Sequence, residues 1–339
     1  MSFPTSPGFL WKSRNNGLPP IRQSLAAMDD HILAAEKPAF ARSVKAIVTG
    51  DVQALRQELA ADPVLVQARS VSAHRATLLH YVAANGIEPE LQRQVPNADE
   101  IANVLLSAGA KVDAKCDAYD GRWNTTMDLL VSSDHPCEAG VTGKLVTLLC
   151  SFGAAVEGPE NNGSPLATAL CFGILDGVQA LLASGARADN AIFAAAAGDA
   201  VWMRTWLDGE VKTVDRPAPA FFPLSADRAT AAEQALVFAG MCGQVEIIRL
   251  LVKRGVSVNA CPPGSHWTAT ALHAAAIQGQ GAAVALLLKH GADPAIRDQR
   301  HHGTPLDWVQ HARGPRRACA QETARILSLN PRLGVGHPR

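Results

Sequence analysis

His80 and Tyr81 stand side by side at the start of an apolar stretch, "TLLHYVAANG" from Thr77 to Gly86. An imidazole beside a phenol offers a general base, a metal ligand or a scaffold hydrogen bond. Metal ligation would draw on further histidines, and His301, His302 and His311 are the nearest thing to a cluster. Neither HxxxH nor HExxH occurs, and adjacent residues on a connector seldom converge on one ion, so no metal site is expected. The seven cysteines, Cys116, Cys137, Cys150, Cys171, Cys242, Cys261 and Cys319, are odd in number, scattered and without a CxxC pair. They read as reduced thiols, with Cys150, Cys171 and Cys242 as small packing residues inside helical frames. A phosphate-binding GxxxxGK[ST] loop and a GxSxG elbow are absent. No cofactor is implied.

One region concentrates polar and aromatic groups. "HYVAANG", "CDAYDGRWNTT" and "SSDHP" lie close together in sequence and beside two irregular stretches. His80, Tyr81, Asn85, Asp117, Tyr119, Thr125, Thr126 and His135 are therefore the candidates for a small-molecule or enzymatic pocket. No combination among them defines a reaction, and such groups also satisfy loops and helix ends.

The elements that position these residues repeat. "TALHAAAIQG" (Thr270 to Gly279) matches "TLLHYVAANG" at Thr, Leu, His, Ala and Gly, and weaker copies are "SPLATALCFG", "DNAIFAAAAG", "QALVFAGMCG" and "TPLDWVQHAR". A second frame follows the first in "IANVLLSAGAKVD", "LVTLLCSFGAAVE", "GVQALLASGARAD", "IIRLLVKRGVSVN" and "AVALLLKHGADPA". Thr or Ser opening the first frame can cap a helix, and the closing Gly can end it in a left-handed conformation. Apolar residues at helical spacing give the second frame one buried face. Each unit is thus two short antiparallel helices and a polar connector.

These frames resemble the ankyrin repeat family, whose unit of about 33 residues runs Thr-Pro-Leu-His, Ala-Ala, Gly, then Leu-Leu and Gly-Ala. The spacing is looser here, with 36 residues from Gly243 to Gly279 but 25 from Gly173 to Gly198. The resemblance implies an all-α solenoid of about eight helix-turn-helix units over residues 39–330, joined by loops or short β-hairpins. Flexible tails are expected at 1–38 and 331–339, and insertions near 87–98, 134–143 and 209–230. The last insertion carries Phe221 and Phe222 and reads as a surface loop or a docking element. In the family the tetrapeptide histidine bonds to backbone and stiffens the junction between units. His80 and His273 share that offset, where Asp128, Asp307 and Ala167 stand in other units, so a repeated catalytic device is not required there.

Charge and composition narrow the partner. Lysine plus arginine equals aspartate plus glutamate at 31 each, which leaves no net field toward nucleic acid or an anionic membrane. No apolar run of spanning length occurs, and a soluble, cytoplasmic, monomeric chain is expected. The resemblance implies a non-enzymatic scaffold, adaptor or inhibitor that binds a protein on its concave side. Positions preceding the tetrapeptide and the first-helix glycine are expected to face that side. They are His74, Arg75, Asn85, Trp123, Asn124, Ser132, Ser133, Phe172, Met241, His266, Trp267, Gln278, Arg300, His301 and His311, with Trp123 and Trp267 as the leading anchors.

Overall fold

The structure is a computed structural model and describes residues 31–119, 121–211, 218–222, 224–263, 268–312 and 316–329. Helix pairs follow the two frames. They are α1 (Pro38–Thr49) with α2 (Val52–Ala61), α3 (Leu78–Val82) with α4 (Ala98–Ser107), and α5 (Thr126–Leu130) with α7 (Thr142–Ser151), the short α6 (Asp134–Glu138) lying between the last two. Next come α8 (Ser164–Phe172) with α9 (Leu175–Ala183), α10 (Ala191–Ala197) with α11 (Ala200–Leu207), and α12 (Arg228–Met241) with α13 (Val245–Lys253). The series ends with α14 (Ala271–Ile277) and α15 (Gly281–Lys289), then α16 (Pro305–Val309) and α17 (Arg316–Ser328). Among the described residues this is an all-α array of eight helix pairs. Its one described sheet is an antiparallel hairpin, β1 (Lys115–Asp117) with β2 (Trp123–Thr125), at the tip between the second and third units.

Local chemistry repeats with the units. Thr77 donates its backbone N–H to His80 Nδ1 at 3.0 Å, and the His80 Nε2–H donates to the Ala114 carbonyl of the next connector at 3.0 Å. Thr270, His273 and the Gly303 carbonyl repeat the device. Asp128 and Asp307 accept from the backbone N–H of Thr125 and Thr304 at 2.9 and 2.8 Å, so a carboxylate replaces the ring nitrogen as acceptor. The free carbonyls at the ends of first helices also receive a donor from the following unit. Asn97 donates to Gly50, Ser133 to Ala84, Gln244 to Ala196 and Thr323 to Ala276, all at 2.8–3.0 Å.

The array divides after the fourth unit. First helices pack on first helices from α1 to α8, and again from α10 to α16, but α8 and α10 do not continue the series. Two four-unit stacks result, and they meet through side chains, Gln278 with the Gly173 carbonyl and Arg316 with Asp134 and Cys137. Leu55, Leu78, Ile101, Leu129, Leu145 and Leu170 fill the N-terminal core, and Phe193, Phe222, Phe238, Met241 and Ala274 of the C-terminal half join it. A separate C-terminal core holds Met203, Trp206, Leu236, Ile248, Leu251, Leu272 and Leu287. The inner helices α10, α12 and α14 are therefore buried on two sides. Their inward face, open in a single curved row, meets the N-terminal stack here.

Two expectations shift at the edges. The segment expected as a tail to residue 38 is already part of the fold at Leu33, which is buried, and at Glu36, whose carboxylate accepts from the Ser70 hydroxyl and the Val71 N–H. Residues 1–30 and 330–339 lie outside the described residues. In the third insertion, Phe222 packs 5.1 Å from Phe193 and 6.0 Å from Phe238, while Phe221 is exposed. Residues 212–217 and 223 are not described.

Candidate protein-binding surface

Of the two tryptophans expected as anchors, Trp123 has 57% of its surface accessible at the edge of the β1–β2 hairpin. Pairing in register sets Trp123 opposite Asp117, and the hairpin buries Cys116 inward. The Asp117 N–H donates to the His74 carbonyl at 2.8 Å, which ties the hairpin to the preceding tip. That tip carries the exposed Arg75, whose backbone is left-handed at φ 54°. Arg69 braces both tips by donating from Nη1 to the carbonyls of Arg75 and Lys115 at 2.7 and 2.8 Å. Exposed Tyr119, Arg122 and Lys115 lie on the same hairpin. The result is one braced surface bearing two aromatic rings and several cations.

Other expected positions are distributed differently. His74 is half-buried, accepts at Nδ1 from Ala76 N–H and donates from Nε2 to Glu88 at 2.8 Å. Asn124 and Ser132 are half-buried. Arg300 is exposed and His301 half-buried on the connector before α16, where the Asp298 carboxylate accepts from both backbone N–H groups, from Gly303 N–H and from the Trp308 indole. Burial pushes the Asp298 carboxyl up, but those four donors outweigh it and its pKa is lowered. His311 is exposed and Phe172 half-buried against the core. His266 and Trp267 lie outside the described residues.

Four side chains expected on the concave face are inside instead. Asn85 is 8% exposed and donates to the Leu129 carbonyl and Ser132 hydroxyl, while Ser133, 2% exposed, donates to the Ala84 carbonyl. Both serve the junction between the second and third units. Met241 is 1% exposed in the N-terminal core, and Gln278, 7% exposed, donates to the Gly173 carbonyl of α8. Those two are covered because the stacks face each other.

The candidates for a polar pocket come together only in part. Tyr119 donates to Asn85 Oδ1 at 3.0 Å, completing a chain through Ser132. His80, Tyr81, Thr125 and Thr126 are buried, Asp117 accepts from Gly121 N–H, and His135 is half-buried on α6. Burial dominates the lowering of the His80 pKa to about 4, so its ring is neutral at physiological pH. Tyr81 lines a narrow crevice with Ile47, Leu91 and Arg93. A larger hollow, about 630 Å³ including space open to solvent, lies elsewhere, between Asn162, Asn190, Trp202, Trp206 and Arg228. There Trp202 and Trp206 stack at 6.1 Å and the Arg228 guanidinium covers Trp206 at 5.0 Å. The i, i+4 spacing of the tryptophans in "WMRTW" is the sequence signal for that hollow. Among the described residues, no group of three or more His, Cys, Asp or Glu could hold a metal, and no helix is long and apolar enough to cross a membrane.

A profile of three ankyrin repeats matches residues 219–298, which span α12 to α15. Residues 219–298 of the chain are ankyrin repeats. A probable E3 ubiquitin-protein ligase of Oryza sativa subsp. japonica, XBOS34, is 42% identical over 66 residues, which cover 20% of this ankyrin-repeat chain and 12% of the rice protein. The ligase activity in that name is said of the rice protein. The crystal structure of the human ASB11 ankyrin repeat domain matches with a TM-score of 0.39 at 20% identity, covering 90% of this chain and all of that one. Ankyrin repeats generally mediate protein–protein interaction.

Proposed function

We propose that this ankyrin-repeat chain is a non-catalytic interaction module, acting as a scaffold, adaptor or inhibitor, and that it engages its protein partner through the hairpin surface of the N-terminal stack. The carrying observation is Trp123, more than half exposed on a hairpin that Arg69 and the His74 carbonyl hold in place. A rigid aromatic beside exposed Arg75, Lys115 and Arg122 suits the centre of an interface, since rings and guanidinium groups bury area while keeping polar bonds. The braced backbone lowers the ordering entropy lost on binding.

The test is quantitative capture from source-cell lysate with wild type beside Trp123→Ala. Partner recovery is expected to fall by roughly tenfold or more, the loss typical of a removed interface anchor. Thermal midpoints are expected to agree, because Trp123 belongs to neither core. Equal recovery by both chains would contradict the assignment of this surface. Retention of a metabolite, with no protein, would favour a ligand-binding role instead.

A further inference from the structure

The cations around the hairpin are left open. Arg75, Lys111, Lys115 and Arg122 are exposed, and none makes an ion pair or a side-chain hydrogen bond among the described residues. Elsewhere several exposed arginines meet carboxylates from another part of the array, Arg42 with Glu58, Arg204 with Glu246 and Arg254 with Asp208. The acids beside the hairpin cations are turned to backbone instead. Asp113 accepts from the Ala155 N–H at 3.0 Å and Asp117 from the Gly121 N–H at 2.6 Å, and both are half-buried. Asp120 lies outside the described residues. What the described part of this tip offers to solvent is therefore positive charge, on a chain whose acids and bases balance at 31 each.

Arg75 carries the same sign of purpose in its backbone. Its φ of 54° is a conformation that glycine takes freely and other residues only at a cost. No bond from its guanidinium to the described residues offsets that cost. Trp123 supplies the apolar part of the surface: it belongs to neither core and makes no ring contact. An indole among unpaired cations is complementary to a ligand that carries an apolar side chain between anions. Carboxylates match the guanidinium fork. A nucleic-acid strand offers rings and anions too, but it calls for a groove of cations that tracks its backbone. Here the cations are gathered on one hairpin and the tip before it, with Asp113 and Asp117 among them.

We propose that the partner of the hairpin surface is an acidic protein segment, an extended stretch of aspartate and glutamate with one apolar side chain that packs on Trp123 while its carboxylates face Arg75, Lys115 and Arg122. This inference rests on the binding role assigned to that surface above. Exposed ion pairs act chiefly on the rate of encounter and the choice of partner, and salt screens them.

Binding of labelled synthetic peptides to the full chain, followed by fluorescence anisotropy and stopped flow, tests it. The probes are a short peptide of alternating glutamate and aspartate around one phenylalanine, its serine and lysine counterparts, and a single-stranded oligouridylate. The acidic peptide is expected to bind at least roughly tenfold more tightly than the other three, with association slowing as salt rises. The triple variant Arg75→Gln/Lys115→Gln/Arg122→Gln is expected to lose roughly tenfold or more of that affinity, with helical circular dichroism unchanged. Arg249→Gln/Lys253→Gln/Lys289→Gln removes the same charge from exposed positions on α13 and α15 and is expected to bind like wild type. Equal binding of the serine peptide, preference for the oligouridylate, or no binding of the acidic peptide would overturn the proposal. Lysate capture separates this failure from that of the underlying reading. A partner lost by Trp123→Ala but kept by the triple hairpin variant leaves the surface assigned and refutes its acidic partner, whereas a partner indifferent to Trp123→Ala refutes the surface itself.

Discussion

At the scale of single residues, the tetrapeptide histidines act as neutral struts. His80 accepts at Nδ1 and donates at Nε2, so one ring satisfies the start of a helix and a carbonyl in the next connector. Protonation would put a donor against the Thr77 N–H, and burial already penalises the charged ring. The folded pKa of about 4 lies below the ordinary 6.5. Between those values the unfolded chain binds a proton that the folded chain refuses, so stability is full above about pH 6.5 and falls as pH drops toward 4. His80 alone contributes a loss on the order of 3 kcal/mol across that window. His273 is shifted in the same direction by the same main cause, burial, and adds to the loss. Urea titrations at pH 7, 5.5 and 4 are expected to show falling midpoints, with a smaller decline in His80→Ala. At pH 7 that substitution leaves the Thr77 N–H and Ala114 carbonyl unpaired and is expected to cost about 2–4 kcal/mol, read from the same titrations.

At the scale of elements, helix caps and helix contacts decide what substitutions do. Gly240 lies inside α12, where intrinsic propensity favours alanine by about 1 kcal/mol. A Cβ there would stand 2.8 Å from the Ala271 carbonyl oxygen at the start of α14. Close helix approach outweighs propensity, and Gly240→Ala is expected to destabilise by about 1–2 kcal/mol net, read as a lower urea midpoint. Asp298→Asn replaces one acceptor oxygen with a donor facing either Gly303 N–H and the Trp308 indole or the Arg300 and His301 N–H groups, and a loss of about 1–3 kcal/mol is expected. Amide exchange at Arg300 and His301 should quicken in parallel. The helix pairs and the histidine struts were legible in the sequence because capping residues, glycine stops and helical apolar spacing are local signals. The outward directions of Asn85 and Ser133 were not, since both meet carbonyls or hydroxyls of a neighbouring unit, a demand that no single unit displays. The outward direction of Trp123 was legible through its place beside the tetrapeptide frame.

At the scale of the whole molecule, eight units would form one row if every junction matched its neighbours. The short spacing from Gly173 to Gly198 and the long insertion after α11 are the sequence marks of the exception. Neither says that the stacks meet face to face. That depends on Phe193, Phe222, Phe238 and Met241 finding apolar surface on a distant part of the chain, an association encoded in no local period. Long-range burial of this kind also explains why Met241 and Gln278, which a single row would expose, are covered. Small-angle X-ray scattering on the wild-type chain tests the two-stack arrangement most directly. A row of eight units at the roughly 8–10 Å spacing of packed helices would extend about 65–80 Å, whereas two four-unit stacks laid together fall well short of that. The two-stack arrangement gives the shorter maximum dimension for the folded body, lengthening in Met241→Glu, which puts a carboxylate among the apolar side chains of the N-terminal core. A wild-type profile that already fits the extended row would contradict it.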